Sequence, residues 1–175
     1  MATPITTSPL STTDPKSSRI VSWRIISFFR KNNAFMISPS MENQVIFIGL
    51  SERLQGGKFQ SFRECTKFRL NMDDLSELLL YCEQPVPIPY KSWRKKHGQQ
   101  YLFGFIPSKL SEITPSYMRE KVMVKEPIIC LKFEMLKKAT NERILFQFSP
   151  WESKTILDLF KKFWQNLLEG YLTSL

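Results

Sequence analysis

A basic, alternating stretch that runs straight into a capped amphipathic helix, and then does so a second time, constrains this chain more than any other feature. Residues 58–81 read KFQSFRECTKFRLNMDDLSELLLY, and residues 130–168 read CLKFEMLKKATNERILFQFSPWESKTILDLFKKFWQNLL. In the alignment of the two, Phe68-Arg69-Leu70-Asn71 falls on Phe146-Gln147-Phe148-Ser149. A period of two that switches to a period near 3.6 marks strand followed by helix. The expected class is therefore α+β: two antiparallel β-sheets, each followed by a helix, as an internal sheet-helix repeat. The boundaries expected are a single domain over residues 19–175, built from halves at about 19–84 and 90–172. At 175 residues the chain suits one domain with a shared core.

Both helix starts are explicit. Asn71 caps the first, and Asp73 and Asp74 put negative charge on the positive end of its dipole. Leu75, Leu78 and Leu79 then form one apolar stripe, and Pro85 ends the element. Ser149-Pro150-Trp151-Glu152 begins the second helix with a capping serine, proline at the first helical position and glutamate three residues after the cap. Its apolar face carries Ile156, Leu159, Phe160, Phe163 and Leu167, widened by Trp164 and Leu168. Strands are expected at residues 20–30, 44–50, 58–70 and 99–106, with a hairpin from 128 to 148 turning near Ala139-Thr140-Asn141. Residues 107–127, of mixed charge, read as a loop or a short helix.

Residues 1–18 (MATPITTSPLSTTDPKSS) lack an apolar period and are read as a disordered Ser/Thr/Pro-rich tail. An organelle transit peptide is the second reading, although Asp14 is present and no arginine precedes Arg19. Cys65, Cys82 and Cys130 are far apart and odd in number, which suits buried free thiols inside a cell better than a disulfide framework or a metal cluster. No apolar run approaches the roughly 18 residues needed to span a bilayer, so a soluble protein without membrane partners is expected.

The charge narrows the function. There are 25 Lys and Arg against 16 Asp and Glu, a net charge of +9. Residues 71–84 contain four acids and no base, whereas residues 85–127 contain eight bases and three acids. A polyanion should therefore meet the strands and loops, not the first helix. Parity along 58–70 places Phe62, Thr66, Phe68 and Leu70 toward the core and Phe59, Ser61, Arg63, Cys65, Lys67 and Arg69 on the opposite face. Tyr90 to His97 interleaves two aromatics with four bases, and Lys132 has the parity opposite Ile129, Leu131, Phe133 and Met135. Rings stack on unpaired bases while cations follow phosphate. The expected contacts are Lys58, Arg63, Lys67, Arg69, Lys91, Arg94, Lys95, Lys96 and Lys132 to phosphate, with Phe59, Tyr90 and Trp93 stacking. Trp23 and Tyr101 are further aromatics near bases.

Catalysis finds little footing. The one histidine, His97, has no carboxylate or cysteine beside it, Asp73-Asp74 is explained by capping, and residues 55–59 lack the Ser or Thr of a phosphate-binding loop. No cofactor and no metal are expected. The segments Lys58-Phe59-Gln60-Ser61-Phe62 through Asn71-Met72-Asp73-Asp74-Leu75, and Ile144-Leu145-Phe146-Gln147-Phe148-Ser149-Pro150-Trp151-Glu152, together resemble the strand-to-helix junctions of the Whirly and positive-cofactor-four group of single-stranded nucleic-acid binders. That resemblance implies two four-stranded sheets, each followed by a helix, over about residues 20–171. It also implies a homo-oligomer, a tetramer, that holds single-stranded DNA or RNA, with roles in transcription, genome maintenance or guide-RNA handling among relatives. The rival reading is a structural or interaction subunit docking through its apolar C-terminal helix.

Overall fold

The computed structural model describes residues 2–6 and 25–173, and it is α+β, with two antiparallel sheets and two helices. The first sheet runs in the order β1 (Ala2–Thr6), β2 (Ile25–Phe29), β3 (Asn33–Ser40), β4 (Val45–Glu52), β5 (Thr66–Leu70) and leads into α1 (Met72–Cys82). The second runs β6 (Tyr90–Lys96), β7 (Gln99–Ile113), β8 (Val122–Lys137), β9 (Glu142–Gln147) and leads into α2 (Pro150–Thr173). Four of the first sheet's strands, β2 to β5, answer to the expected four. The fifth, β1, lies within the stretch read as a disordered tail: Ala2 pairs with Phe28 and Thr3 with Ser27. Two β-branched threonines and an isoleucine in five residues suit the open edge of β2, a pairing invisible to composition. Residues 7–18 of the tail, and residues 20–24 of the strand expected over 20–30 with Trp23 among them, lie outside the described residues. No helix among the described residues is long and apolar enough to cross a membrane.

The chain forms two compact units, Met1–Asp74 with Phe163–Leu175, and Leu75–Lys162. Each helix is thus shared out along its length, whereas the sequence suggested halves divided near residues 84–90. In the first unit, Phe28, Phe35, Ile37, Ile46, Ile48, Phe68 and Leu70 are fully buried on one face of the sheet, and Phe163 and Leu167 of α2 add to that core. In the second, Tyr90, Phe103, Phe105, Leu131, Phe133 and Phe146 form the inner face. Leu75, Leu78 and Leu79 of α1 and Ile156, Leu157 and Phe160 of α2 complete that core, with the Phe105 and Phe160 rings 5.8 Å apart edge to face.

The helix caps are as the sequence dictates. Asp74 N–H donates to Asn71 Oδ1 at 2.9 Å while Asn71 N–H donates to Asp74 Oδ2 at 3.0 Å. Glu152 N–H donates to Ser149 Oγ at 3.2 Å and Ser149 N–H to Glu152 Oε1 at 2.8 Å, a complete capping box. Ser153, fully buried, ties α2 to the sheet: its Oγ accepts from Leu131 N–H at 2.9 Å and donates to Ser149 O at 2.8 Å.

Two expectations need correction. The strand foreseen over 58–70 exists only as Thr66–Leu70. Residues 107–127 hold no helix, and only 114–121 are loop; 107–113 and 122–127 are strand. They extend β7 and β8 into a two-stranded ribbon beyond the sheet, pairing as far as Ile113 with Val122, with a bulge between Leu110 and Glu112. β6 reaches only to Phe105 and β9 only to Lys132. Most residues at the ribbon's end are exposed, so no alternation of polar and apolar residues marks it as strand.

Candidate nucleic-acid interface

Register fixes which side chains share the outer face of the second sheet, because residues directly opposite in a ladder point to the same side. Successive rows across it are Lys95 and Gln100, with Lys138 just beyond β8; then Trp93, Leu102, Leu136 and Arg143; then Lys91, Gly104, Glu134 and Leu145; then Ile106, Lys132 and Gln147. The Trp93 row spans three inter-strand spacings, about 14 Å. Trp93 is 55% exposed and Leu145 49%, so the apolar side chains here face solvent rather than core. Lys138 Nζ sits 5.8 Å from the Trp93 ring centroid and also donates to Gln100 Oε1 at 3.1 Å. The one acid of the face, Glu134, is 8% exposed and is met by Arg143 Nε at 2.9 Å. The lysines of the face are thus left with little opposing charge.

Gly104 keeps this surface flat. A β-carbon there would collide with the Tyr90 carbonyl oxygen and stand 2.9 Å from Lys91 Cγ, so any larger residue would force β6 away or lift Lys91 off the strand. The β6–β7 connection is the two-residue turn His97-Gly98, both with positive φ, as the tight hairpin turn requires. His97 is therefore an exposed turn residue.

Of the expected contacts, Lys91, Trp93, Lys95 and Lys132 come together on this face. Tyr90 does not belong with them: it is 2% exposed, pairs with Phe105 and packs edge to face on Phe103 at 6.3 Å, which excludes it from stacking on a base. Arg94 and Lys96 share the inner-face parity of Tyr90, and the Arg94 guanidinium lies 5.3 Å over the Phe103 ring. Lys138, Arg143 and the leucines were missed. Lys138 could have been found from parity alone, since it continues the series Lys132, Glu134, Leu136; Arg143 needed the β8–β9 register.

The first sheet's outer face is covered over much of its extent. Residues 53–65 cross it as a strap, beginning with a short hairpin in which Arg53 bridges Phe59 and Gly56 and Gly57 take positive φ. Ser51 Oγ donates to Gln60 O at 2.6 Å, and Gln60 N–H donates to Glu52 O at 3.0 Å. Phe59 packs on Phe29 at 5.3 Å, with the Arg53 guanidinium 5.9 Å from its ring. Lys67 Nζ lies 5.1 Å over Phe62 and donates to Arg63 O at 3.2 Å, and Arg69 lies 5.8 Å over Phe47. Beneath the strap the face is lined by small residues: Ala34 and Ser51 are fully buried, and a β-carbon on Gly49 would stand 2.6 Å from Cys65 Sγ. Phe59, Lys67 and Arg69 are thus engaged within the chain, while Lys58 and Arg63 are exposed on the strap itself. Phe62, read as a core residue, belongs to the strap too.

The three cysteines are free and buried. Burial pushes the Cys65 thiol up to about 11 and the Cys82 thiol up to about 12. Among the described residues no group of His, Cys, Asp and Glu is placed to hold a metal ion. On α2, Ile156, Phe160, Phe163 and Leu167 are buried within the chain, leaving Trp151, Tyr171 and Leu172 as its exposed large apolar side chains. No protein-family model, no curated protein and no solved structure matches this chain.

Proposed function

We propose that this protein is a non-catalytic binder of single-stranded nucleic acid, acting through the outer face of its second sheet. The observation that carries the reading is the row Trp93, Leu102, Leu136, Arg143, bordered by Lys95 and Lys138 on one side and by Lys91 and Lys132 on the other. Unpaired bases need an aromatic or apolar floor, and their phosphates need cations at its borders. A four-stranded sheet face of this kind takes two or three bases. A duplex keeps the faces of its bases stacked on one another and presents only their edges and the backbone, so it would leave the tryptophan without a base face to stack on. The sheet-then-helix layout, with its likeness to the Whirly and positive-cofactor-four group, supports the same reading and extends it to self-association, transcription and genome maintenance.

The test is fluorescence anisotropy of labelled single-stranded DNA, single-stranded RNA and duplex DNA across a salt series. Tight, salt-sensitive binding to a single strand with weaker duplex binding is expected. Trp93→Ala should weaken single-strand binding by about 5- to 150-fold, the range for one base-aromatic stack. Equal affinity for duplex, or an unchanged affinity in Trp93→Ala, would overturn the reading.

A further inference from the structure

We infer that one end of the base row selects guanine, with Arg143 as the specificity-determining residue; this rests on the single-strand reading above. Arg143 lies opposite Leu136 in the row that Trp93 begins, so a base resting on the leucines brings an edge to the guanidinium. Glu134 Oε1 holds Arg143 Nε at 2.9 Å. An ordinary surface ion pair has both partners in solvent and fixes little. Here the carboxylate side chain is only 10% exposed and the arginine 59%, so the acid is an anchor set into the sheet and the guanidinium is the part presented outward.

With Nε taken by Glu134, the guanidinium plane is set and its terminal amino groups remain to donate as a fork. Guanine offers two acceptors, O6 and N7, on one edge. Adenine pairs an acceptor with a donor there, thymine and uracil carry a donor between their two acceptors, and cytosine's adjacent acceptors, O2 and N3, lie on its Watson–Crick edge, so the cytosine-bearing strand is the control that isolates the O6–N7 edge. A lysine in this position would supply charge without the fork. The lysines around the row grip any sequence; Arg143 alone combines a fixed plane with a place at the end of the apolar floor.

The experiment measures binding of the full chain to oligothymidylate and to the same length carrying isolated guanines, adenines or cytosines, with 7-deazaguanine and inosine as further replacements. Guanine should tighten binding by about 5- to 150-fold, the range for a bidentate contact. Inosine should keep that gain and 7-deazaguanine should lose it. Arg143→Lys should abolish the preference, so that the variant binds the guanine-bearing strand no more tightly than oligothymidylate, and Glu134→Gln should reduce the preference. Circular dichroism checks the fold of each variant, and the 7-deazaguanine comparison uses the unaltered protein, so the test stands even if a variant fails to fold. Tight binding that is indifferent to base, or a guanine preference that survives Arg143→Lys, overturns the inference and leaves the single-strand reading intact. No binding to any single strand overturns both.

Discussion

Two sets of four cations, equal in charge, separate the two sheet faces. One variant replaces Lys91, Lys95, Lys132 and Lys138 by glutamine, and the other replaces Lys58, Arg63, Lys67 and Arg69. Each takes the net charge from +9 to +5, so long-range attraction falls alike in both. The first set borders the Trp93 row on the open face. In the second, Lys67 and Arg69 already sit over the Phe62 and Phe47 rings, and Lys58 and Arg63 stand on the strap. Each phosphate neutralised on a single strand contributes about 0.7 to the slope of log affinity against log salt, so four contacts contribute up to about 2.8. Between 0.05 and 0.2 M salt, that slope corresponds to a loss of roughly 50-fold that the open-face variant no longer shows. The strap variant should keep nearly the wild-type slope. Anisotropy titrations of a labelled 20-nucleotide strand at four salt concentrations read both slopes, with thermal unfolding confirming each fold. If the strap variant loses as much slope as the open-face variant, net charge rather than the built surface drives binding, and the assignment of the face is wrong.

Ser153→Ala removes the buried acceptor of Leu131 N–H and should lower unfolding free energy by about 1–3 kcal/mol, read from urea midpoints; a change under about 0.5 kcal/mol would mean the amide finds another partner. Burial holds the Cys82 thiol up at about 12 in the fold, against the ordinary thiol value of 9.0 when unfolded. The unfolded chain therefore gives up its proton first, and stability should fall as pH rises from about 9 toward 12, by at most about 1.4 kcal/mol per pH unit from this group. Cys82→Ala should flatten that fall, and an unchanged pH dependence would refute the assignment.

What could be read from the sequence was local. Both helix starts were legible because a cap is a contract between residues three apart: Asn71 with Asp74, and Ser149 with Glu152. The parity of Lys132 held because Leu131, Phe133 and Met135 are all buried on the other side. The stretch 58–65 misled for the opposite reason: KFQSFREC alternates like a strand, yet its phenylalanines pack down onto a sheet face from above, and nothing local separates those geometries. Tyr90 was misread because its neighbours in sequence are basic while its neighbours in space are Phe103 and Phe105. The ribbon escaped notice because Pro107, Pro115 and Pro127 break the pattern and most of its side chains meet water.

Each sheet carries one long excursion, and the two differ in what they do to the surface beside them. In the second sheet the added residues stay hydrogen-bonded to each other, so the ribbon leaves along the strand direction and the face stays open. In the first, the ladder stops after Glu52, two glycines turn the chain back, and the insertion returns across the face before β5 begins. The residues beneath have followed: Ala34, Gly49 and Ser51 are small where a strap must lie close, whereas the corresponding surface of the second sheet carries Trp93, Leu102, Leu136 and lysines. A face packed with small residues and closed by two phenylalanines would have to unpack part of its own core to admit a base; a face whose Trp93 and Leu145 are exposed and whose Leu102 and Leu136 are half-buried gains by being covered. The same repeat therefore yields one scaffold face and one face on which, among the described residues, Trp93 and Leu145 stay exposed; on the proposed reading, several copies of that face on one strand would add avidity beyond what a few nucleotides supply.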